Sequence, residues 1–206
     1  MGDFFSTSAI SFVNDDDDED DYVMPPWVGP GEDVLGVTVP IGRILARTGN
    51  VVIALPHATV YPTGVLFDVR LAARREGLGD DAWDDLETTF FGHDMPRRRR
   101  GLPDTLCRYG VRLSDGAKAT TVDSDPSDEG EPSGPVLTEH GGGGCGGGGR
   151  TLEGSNAYWL WPLPPEGPLQ FVVEWPAAGI EETSLELDAT ALVAAAADVV
   201  PLWPEG

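Results

Sequence analysis

The residue types that could support chemistry are few and lie far apart along the chain. Gly141, Gly143 and Gly146 match the G-x-G-x-x-G pattern of dinucleotide-binding turns, whose backbone amides hold a pyrophosphate at a helix N-terminus. That chemistry requires a helix after the glycines, whereas the next patterned segment, 157–161, is typical of a strand. Any glycine tract of this length would match by chance. We therefore interpret residues 141–149 as a flexible loop and expect no cofactor.

Cysteine, histidine and serine do not combine into a recognisable catalytic or metal-binding motif. His140 and Cys145 are the nearest pair of zinc-ligand types, but the glycines between them impose no geometry. No serine lies in a G-x-S-x-G nucleophile turn. Cys107 has the apolar neighbours of a core thiol rather than those of a reactive one. We expect a protein that is not an enzyme and that holds no metal.

Tryptophans and carboxylates leave open the alternative of a carbohydrate-binding or hydrolytic domain. Trp159 and Trp161 lie on one side of a predicted strand, where aromatic faces could stack on sugar rings. The other side of that strand is equally apolar, which favours a strand between two layers and tryptophans in the core. Because the chain has 35 acidic residues, closely spaced carboxylates are expected by chance, and no catalytic pair is nominated.

Two charge clusters are the candidate interaction residues. The acidic cluster is Asp15, Asp16, Asp17, Asp18, Glu19, Asp20 and Asp21, and the basic cluster is Arg97, Arg98, Arg99 and Arg100. Like-charge repulsion predicts that residues 1–30 form a mobile, disordered acidic arm. This arm is expected to contact the basic cluster, in the same chain or in a homotypic contact, or a basic surface of another protein. A third hypothesis is an acidic mimic of nucleic acid.

Overall charge excludes some classes of partner. The 206 residues include 13 bases and 35 acids, which gives a net charge of −22. Direct binding of nucleic acid requires clustered cations, and anionic membranes are disfavoured for the same reason. With two cysteines, no signal-peptide pattern and no long apolar run, the chain is expected to be cytoplasmic and to make no membrane contact.

Alternation of apolar and polar residues predicts that most of the chain is β-strand. The alternation is clearest over 65–71, 107–113 and 169–175, and the wholly apolar run 51–55 predicts an inner strand. Further short strands are expected at 34–39, 117–122, 157–161 and 183–187.

Helical spacing interrupts this pattern twice. One helix is predicted to start at Asp80 or Asp81 and to bury Trp83, Leu86 and Phe90, and the other to start at Asp188 and stop before Pro201. Trp203 is expected to pack back as a terminal plug. These elements predict a mainly β protein, an immunoglobulin-like antiparallel β-sandwich with one or two short helices. Residues 31–206 would form this single domain, with flexible loops at 123–135 and 141–149.

The segments Tyr158–Ile180 and Ala58–Val69 resemble a family of actinobacterial, Streptomyces-type proteins of unknown function. The use of 12 Arg against one Lys fits a GC-rich genome. The resemblance implies a bacterial cytoplasmic protein and transfers no catalytic residue. We therefore favour a non-catalytic β-sandwich that binds another protein.

Overall fold

The computed structural model describes residues 24–91, 102–123 and 130–203. These residues form eleven strands and two α-helices, joined by short turns. The strands are β1 (Val34–Leu35), β2 (Val37–Arg47), β3 (Val51–Tyr61), β4 (Gly64–Arg74), β5 (Arg108–Arg112), β6 (Lys118–Thr120), β7 (Val136–Gly148), β8 (Thr151–Trp161), β9 (Pro168–Trp175), β10 (Ile180–Asp188) and β11 (Val200–Pro201). The helices are α1 (Asp80–Phe91) and α2 (Ala189–Ala195).

The strands pair antiparallel in two large sheets and one small ribbon. The five-stranded sheet has the order β2-β3-β4-β8-β7, the four-stranded sheet has the order β10-β9-β5-β6, and β1 pairs with β11. The prediction of a mainly β, antiparallel protein is confirmed. The immunoglobulin-like part is not confirmed, because β2, β3 and β4 form a meander in one sheet, whereas an immunoglobulin domain places its third strand in the other sheet.

The two large sheets pack face to face through side chains of alternate strand positions. The ring of Phe67 on β4 lies 5.0 Å from the ring of Phe171 on β9, centroid to centroid, and both residues are fully buried. Tyr109 on β5 meets Tyr158 on β8 at 4.6 Å. Burial of every second residue leaves the intervening side chains on the two outer faces of the sandwich. Those outer faces carry the polar residues that bear on function.

The helices close the sandwich and follow the predicted patterns in part. Helix α1 begins at Asp80 and buries Trp83, Leu86 and Phe90, as predicted. Helix α2 begins after Asp188, whose side chain accepts a hydrogen bond from the backbone N–H of Thr190 at 2.9 Å. It ends at Ala195 and continues as a 3-10 turn over 196–198, earlier than predicted. Trp203 is 73% exposed, so the predicted terminal plug is wrong.

The glycine tract is a strand rather than the predicted loop at 141–149. Strand β7 continues to Gly148 and pairs with β8, with Gly142 opposite Asn156 and Gly146 opposite Glu153. Two register shifts interrupt this pairing. A ladder of backbone hydrogen bonds needs no side chains, so the glycines can follow a neighbouring strand that is well formed.

Residues 24–30 pack against the five-stranded sheet, although the predicted mobile arm extended to residue 30. The indole N–H of Trp159 donates to the backbone oxygen of Pro26 at 3.0 Å, and Trp27 meets Trp161 edge to face at 6.1 Å. The acidic run ends at Asp21, so the apolar residues that follow it are free of its repulsion and can be buried. The clusters Asp15–Asp21 and Arg97–Arg100, and positions 124–129 of the predicted loop 123–135, lie outside the described residues.

Candidate binding groove

The outer face of the five-stranded sheet carries charges that are paired with one another. His57 Nε2 lies 3.1 Å from Asp68 Oδ2, and Arg70 Nη2 lies 3.2 Å from Glu153 Oε2. These pairs border an open depression of about 670 Å³, part of whose lining is glycine backbone from β7 and β8. The ionic side chains that line the depression already have partners.

The two carboxylates on this face are not directly opposed, and each is held in an ion pair. Asp68 is opposite Ala157, and Glu153 lies four residues further along β8. Asp68 pairs with His57, and Glu153 pairs with Arg70. This pair therefore gives no support to the hydrolytic alternative.

The tryptophans do not form an exposed stacking platform. Trp159 is fully buried beneath residues 24–30, and it also contacts Tyr61 at 5.7 Å between ring centroids. Trp161 is half-buried beside Trp27. Stacking on a sugar needs a free ring face, so this region gives no support to carbohydrate binding. The prediction that Trp159 and Trp161 both belong to the core is therefore only partly right: Trp159 is buried, but under the segment before β1 rather than between the two sheets, and Trp161 is only half-buried.

Cys107 lies just before β5 and packs against the core. Burial raises the pKa of its thiol to about 12, and this effect exceeds the lowering by a hydrogen bond with Tyr109 and by the charge of Arg108. The thiol is therefore protonated at neutral pH and is a poor nucleophile. This environment agrees with the predicted core cysteine.

The outer face of the four-stranded sheet gathers cations around a gap. Strand alternation places Arg108, Gly110 and Arg112 of β5 on this face, beside Lys118 and Thr120 of β6. Because Gly110 has no side chain, a groove of about 290 Å³ opens above it. We call this the Gly110 groove. Its further lining residues include Leu102, Val122, Val172, Glu174 and Glu182.

Two cations of the Gly110 groove oppose each other directly. Arg112 and Lys118 are Cα partners across the β5–β6 ladder, and both side chains are exposed. Like charges at directly opposed positions destabilise a sheet. Neither residue forms an ion pair with another residue in the described part of the chain. In a protein with 35 acids, this arrangement favours binding of an external anion over local stability.

Arg108 adds a third cation that is partly committed inside the protein. Its Nε donates to Glu174 Oε2 at 2.7 Å, and the side chains are 18% and 33% exposed. This hydrogen bond lowers the pKa of Glu174 below its ordinary value, so Glu174 is ionised at neutral pH. Arg108 Nη1 is buried and has no hydrogen-bond partner among the described residues. A buried donor without an acceptor is destabilising, so the position of Arg108 carries a cost in stability.

Apolar side chains accompany the cations. Leu102 is 46% exposed and Val122 is 37% exposed, and Val172 is half-buried in the groove. The β5–β6 register places Val122 on the Arg108 side of Gly110, away from Lys118. The groove thus offers a cationic end and a partly apolar end. It can hold carboxylates by charge-assisted hydrogen bonds and can bury an adjacent apolar group.

The interaction residues predicted from the sequence, Asp15–Asp21 and Arg97–Arg100, are not the residues of the Gly110 groove. The alternation over 107–113 predicts that Arg108, Gly110 and Arg112 share one face of a strand. From the sequence alone, that face is only the side exposed to solvent. The usable signal was the turn at Ser114–Gly116, because a hairpin centred there puts Lys118 opposite Arg112. What the pattern does not show is that, within 24–91, 102–123 and 130–203, no segment covers this face.

No family model, curated protein or solved structure matches the chain. The resemblance to actinobacterial proteins therefore remains a prediction. Within the described ranges, no helix has the length and apolar character required to cross a membrane. The same residues contain no group of three His, Cys, Asp or Glu side chains placed to hold a metal ion.

Proposed function

We propose that the protein is a non-catalytic interaction module that binds an acidic segment of a partner protein in the Gly110 groove. The observation that carries the proposal is the direct opposition of Arg112 and Lys118, with Arg108 two residues away from Gly110 on the same face. A carboxylate between the two exposed cations would replace their repulsion by two attractions.

The composition of the groove also indicates the orientation and chemistry of the bound segment. Glu174 and Glu182 border the groove on the β9–β10 side, so they disfavour acids there. Acidic residues of the segment would lie over Arg112 and Lys118, and an apolar residue would lie beside Leu102 or Val122. The preferred ligand is thus a peptide with an apolar pair next to a run of Asp or Glu.

In this proposal the sandwich is a rigid frame that presents a recognition surface, as it is in immunoglobulin-like domains. The cytoplasmic location expected from the sequence stays a prediction. Binding of the acidic arm to a basic protein and mimicry of nucleic acid also stay predictions, since both depend on residues 1–23.

The first test is binding of a fluorescein-labelled peptide, Phe-Val-Asp-Asp-Asp-Asp, measured by fluorescence anisotropy. We expect the double variant Arg112→Glu, Lys118→Glu to weaken binding by about 30-fold or more, because two attractive contacts become repulsive. The matched control is Arg43→Glu with Arg47→Glu, which makes the same change in charge at exposed positions of β2. The control should change affinity by less than about threefold.

Two further peptides separate groove binding from general attraction to cations. Ala-Ala-Asp-Asp-Asp-Asp retains the charge but lacks the apolar pair, and we expect it to bind about fivefold more weakly. Phe-Val-Lys-Lys-Lys-Lys should not bind. Equal loss of affinity in the groove variant and in the β2 control would contradict the proposal, since it would mean that only the net charge of the protein matters.

A further inference from the structure

We infer that the chain's own acidic run, Asp15–Asp18, occupies the Gly110 groove of the same molecule and competes with the partner for it. This inference rests on the proposed function, because it concerns the regulation of the same groove. It assigns an autoinhibitory role to a segment that would otherwise serve only as a solubilising charge.

The first support is the place where the arm joins the folded part. A Cβ atom at Gly29 would clash with both the His140 ring and the Met24 sulfur, so Met24 lies beside His140 of β7. Strand β7 is an edge of the five-stranded sheet, and β6 is the adjacent edge of the four-stranded sheet. The neighbouring residue Glu139 is close enough to Tyr109 of β5 to raise the pKa of that phenol further. The arm therefore begins at the corner next to the groove.

The second support is length. Stacked sheets lie about 10 Å apart, so a path round their edges from one outer face to the other is on the order of 20 Å. Nine residues separate Asp15 from Met24 (24 − 15), and six separate Asp18 from it. At about 3.3 Å per residue these spans reach roughly 30 Å and 20 Å. The acids at 15–18 can reach Lys118 and Arg112, whereas Asp20 and Asp21 are too close to the anchor.

The third support is chemical complementarity. The run 15–18 supplies four acids, and the groove has three cations, of which Arg108 is paired with Glu174. The arm also carries Phe12 and Val13 before these acids, with Asn14 between them. This is the order of apolar and acidic residues that the groove favours. A tethered segment acts at an effective concentration in the millimolar range, so a weak contact within one molecule exceeds the same contact between copies at micromolar concentration.

The experiment compares two full-length variants with the same net charge. In the arm variant, Asp15, Asp16, Asp17 and Asp18 are each changed to Asn. In the control, Asp81→Asn, Asp84→Asn, Asp85→Asn and Glu87→Gln remove four acids from helix α1. Each variant has a net charge of −22 + 4 = −18. The probe is the Phe-Val-Asp-Asp-Asp-Asp peptide, with anisotropy as the readout.

We expect the arm variant to bind the probe about fivefold to tenfold more tightly than the unmodified protein, because an internal competitor is lost. The factor follows from an effective concentration of about 1 mM and an arm dissociation constant of about 0.1 to 0.2 mM. The control should gain less than about twofold. Adding Arg112→Glu and Lys118→Glu to the arm variant should abolish the gain.

The outcomes separate the two proposals. Equal affinities of the arm variant and the control, with the probe bound in the groove, would overturn the inference and leave the proposed function in place. Failure of the probe to bind both the unmodified protein and the arm variant would overturn the proposed function. Sedimentation at the same protein concentrations should show monomers. A dimer that is lost only in the arm variant would overturn the contact within one molecule.

Discussion

The two outer faces of the sandwich have similar backbones but differ in how their charged side chains are paired. On the five-stranded sheet, Arg70 lies next to Glu153, so neighbouring strands present opposite charges. On the four-stranded sheet, Arg108 pairs with Glu174 across β5 and β9, but Arg112 lies opposite Lys118, so the β5–β6 edge presents like charges. A face whose charged side chains pair with one another has few unpaired charges with which to bind a ligand. The opposed cations on the other face repel each other, and a bound anion would relieve that repulsion.

The faces also differ in how they are covered. Residues 24–30 close one end of the five-stranded face over Trp159, which is fully buried there. The four-stranded face has glycine at its centre and keeps Leu102 and Val122 exposed at the groove. One face is therefore partly covered by the chain itself, whereas the described residues leave the groove on the other face open. Matched substitutions on the two faces test this contrast.

The largest effect is expected from Trp159→Ala. This change removes a fully buried indole together with its hydrogen bond to Pro26, and large-to-small changes of this kind destabilise by about 3 to 5 kcal/mol. Val172→Ala on the other face removes a half-buried side chain and should destabilise by less than about 1.5 kcal/mol. Urea unfolding of the two variants measures both values. Similar losses would mean that the two faces are covered alike.

A smaller effect is expected from Glu174→Gln, which weakens the partly buried pair with Arg108. We expect a loss of about 1 kcal/mol at pH 7, because a charge-assisted hydrogen bond becomes a neutral one. The matched change Glu153→Gln affects an exposed pair with Arg70 and should change stability by less than about 0.5 kcal/mol. Glu174→Gln should also strengthen peptide binding about twofold, since Arg108 is then free to bind the ligand.

The effect of Glu174→Gln depends on pH in a defined direction. The hydrogen bond from Arg108 lowers the pKa of Glu174 in the folded protein, so the pair stabilises the fold above the pKa of glutamate in the unfolded chain, about 4.5. This contribution is lost as the pH falls below that value. The difference in unfolding free energy between the variant and the unmodified protein should therefore shrink as the pH falls below about 4.5 and vanish in acid below the lowered pKa of Glu174 in the folded protein. A difference that persists there would contradict an ionic origin.

The fold was predictable where side chains repeat with a clear period. Alternation found β4, β5 and β9 because each buries every second residue, and helical spacing found α1 through Trp83, Leu86 and Phe90. Alternation did not predict β7, because a run of glycines has no alternation of apolar and polar side chains. That strand depends on pairing with β8. The boundary of the arm was wrong because burial of Trp27 against Trp161 depends on a contact distant in sequence.

The candidate site was less predictable than the fold. The Arg97–Arg100 cluster is easy to recognise in the sequence because its charges are consecutive. The cations of the Gly110 groove are spread over 108–118. Hairpin register brings Arg112 and Lys118 together, and that much follows from the turn at Ser114–Gly116. Whether a segment covers the face depends on packing between elements that are far apart along the chain.

The smallest expected effect is that of Arg112→Glu. The sign of its change in stability is the most informative of all. Replacing a like-charge pair by an opposite-charge pair with Lys118 should stabilise the protein by about 0.2 to 1 kcal/mol. Arg70→Glu on the other face is the matched control. It makes the same change in net charge, from −22 to −24, and it puts two acids side by side at Glu153. It should destabilise by a similar amount.

Urea unfolding at low salt measures both Arg112→Glu and Arg70→Glu, and 0.5 M NaCl should reduce both effects because the side chains are exposed. Arg112→Glu should at the same time weaken binding of the Phe-Val-Asp-Asp-Asp-Asp peptide. A variant that is more stable and binds less well would show that Arg112 is kept at this position for recognition. If Arg112→Glu instead destabilises the protein as much as Arg70→Glu does, the arginine serves the fold, and the contrast between the two faces fails.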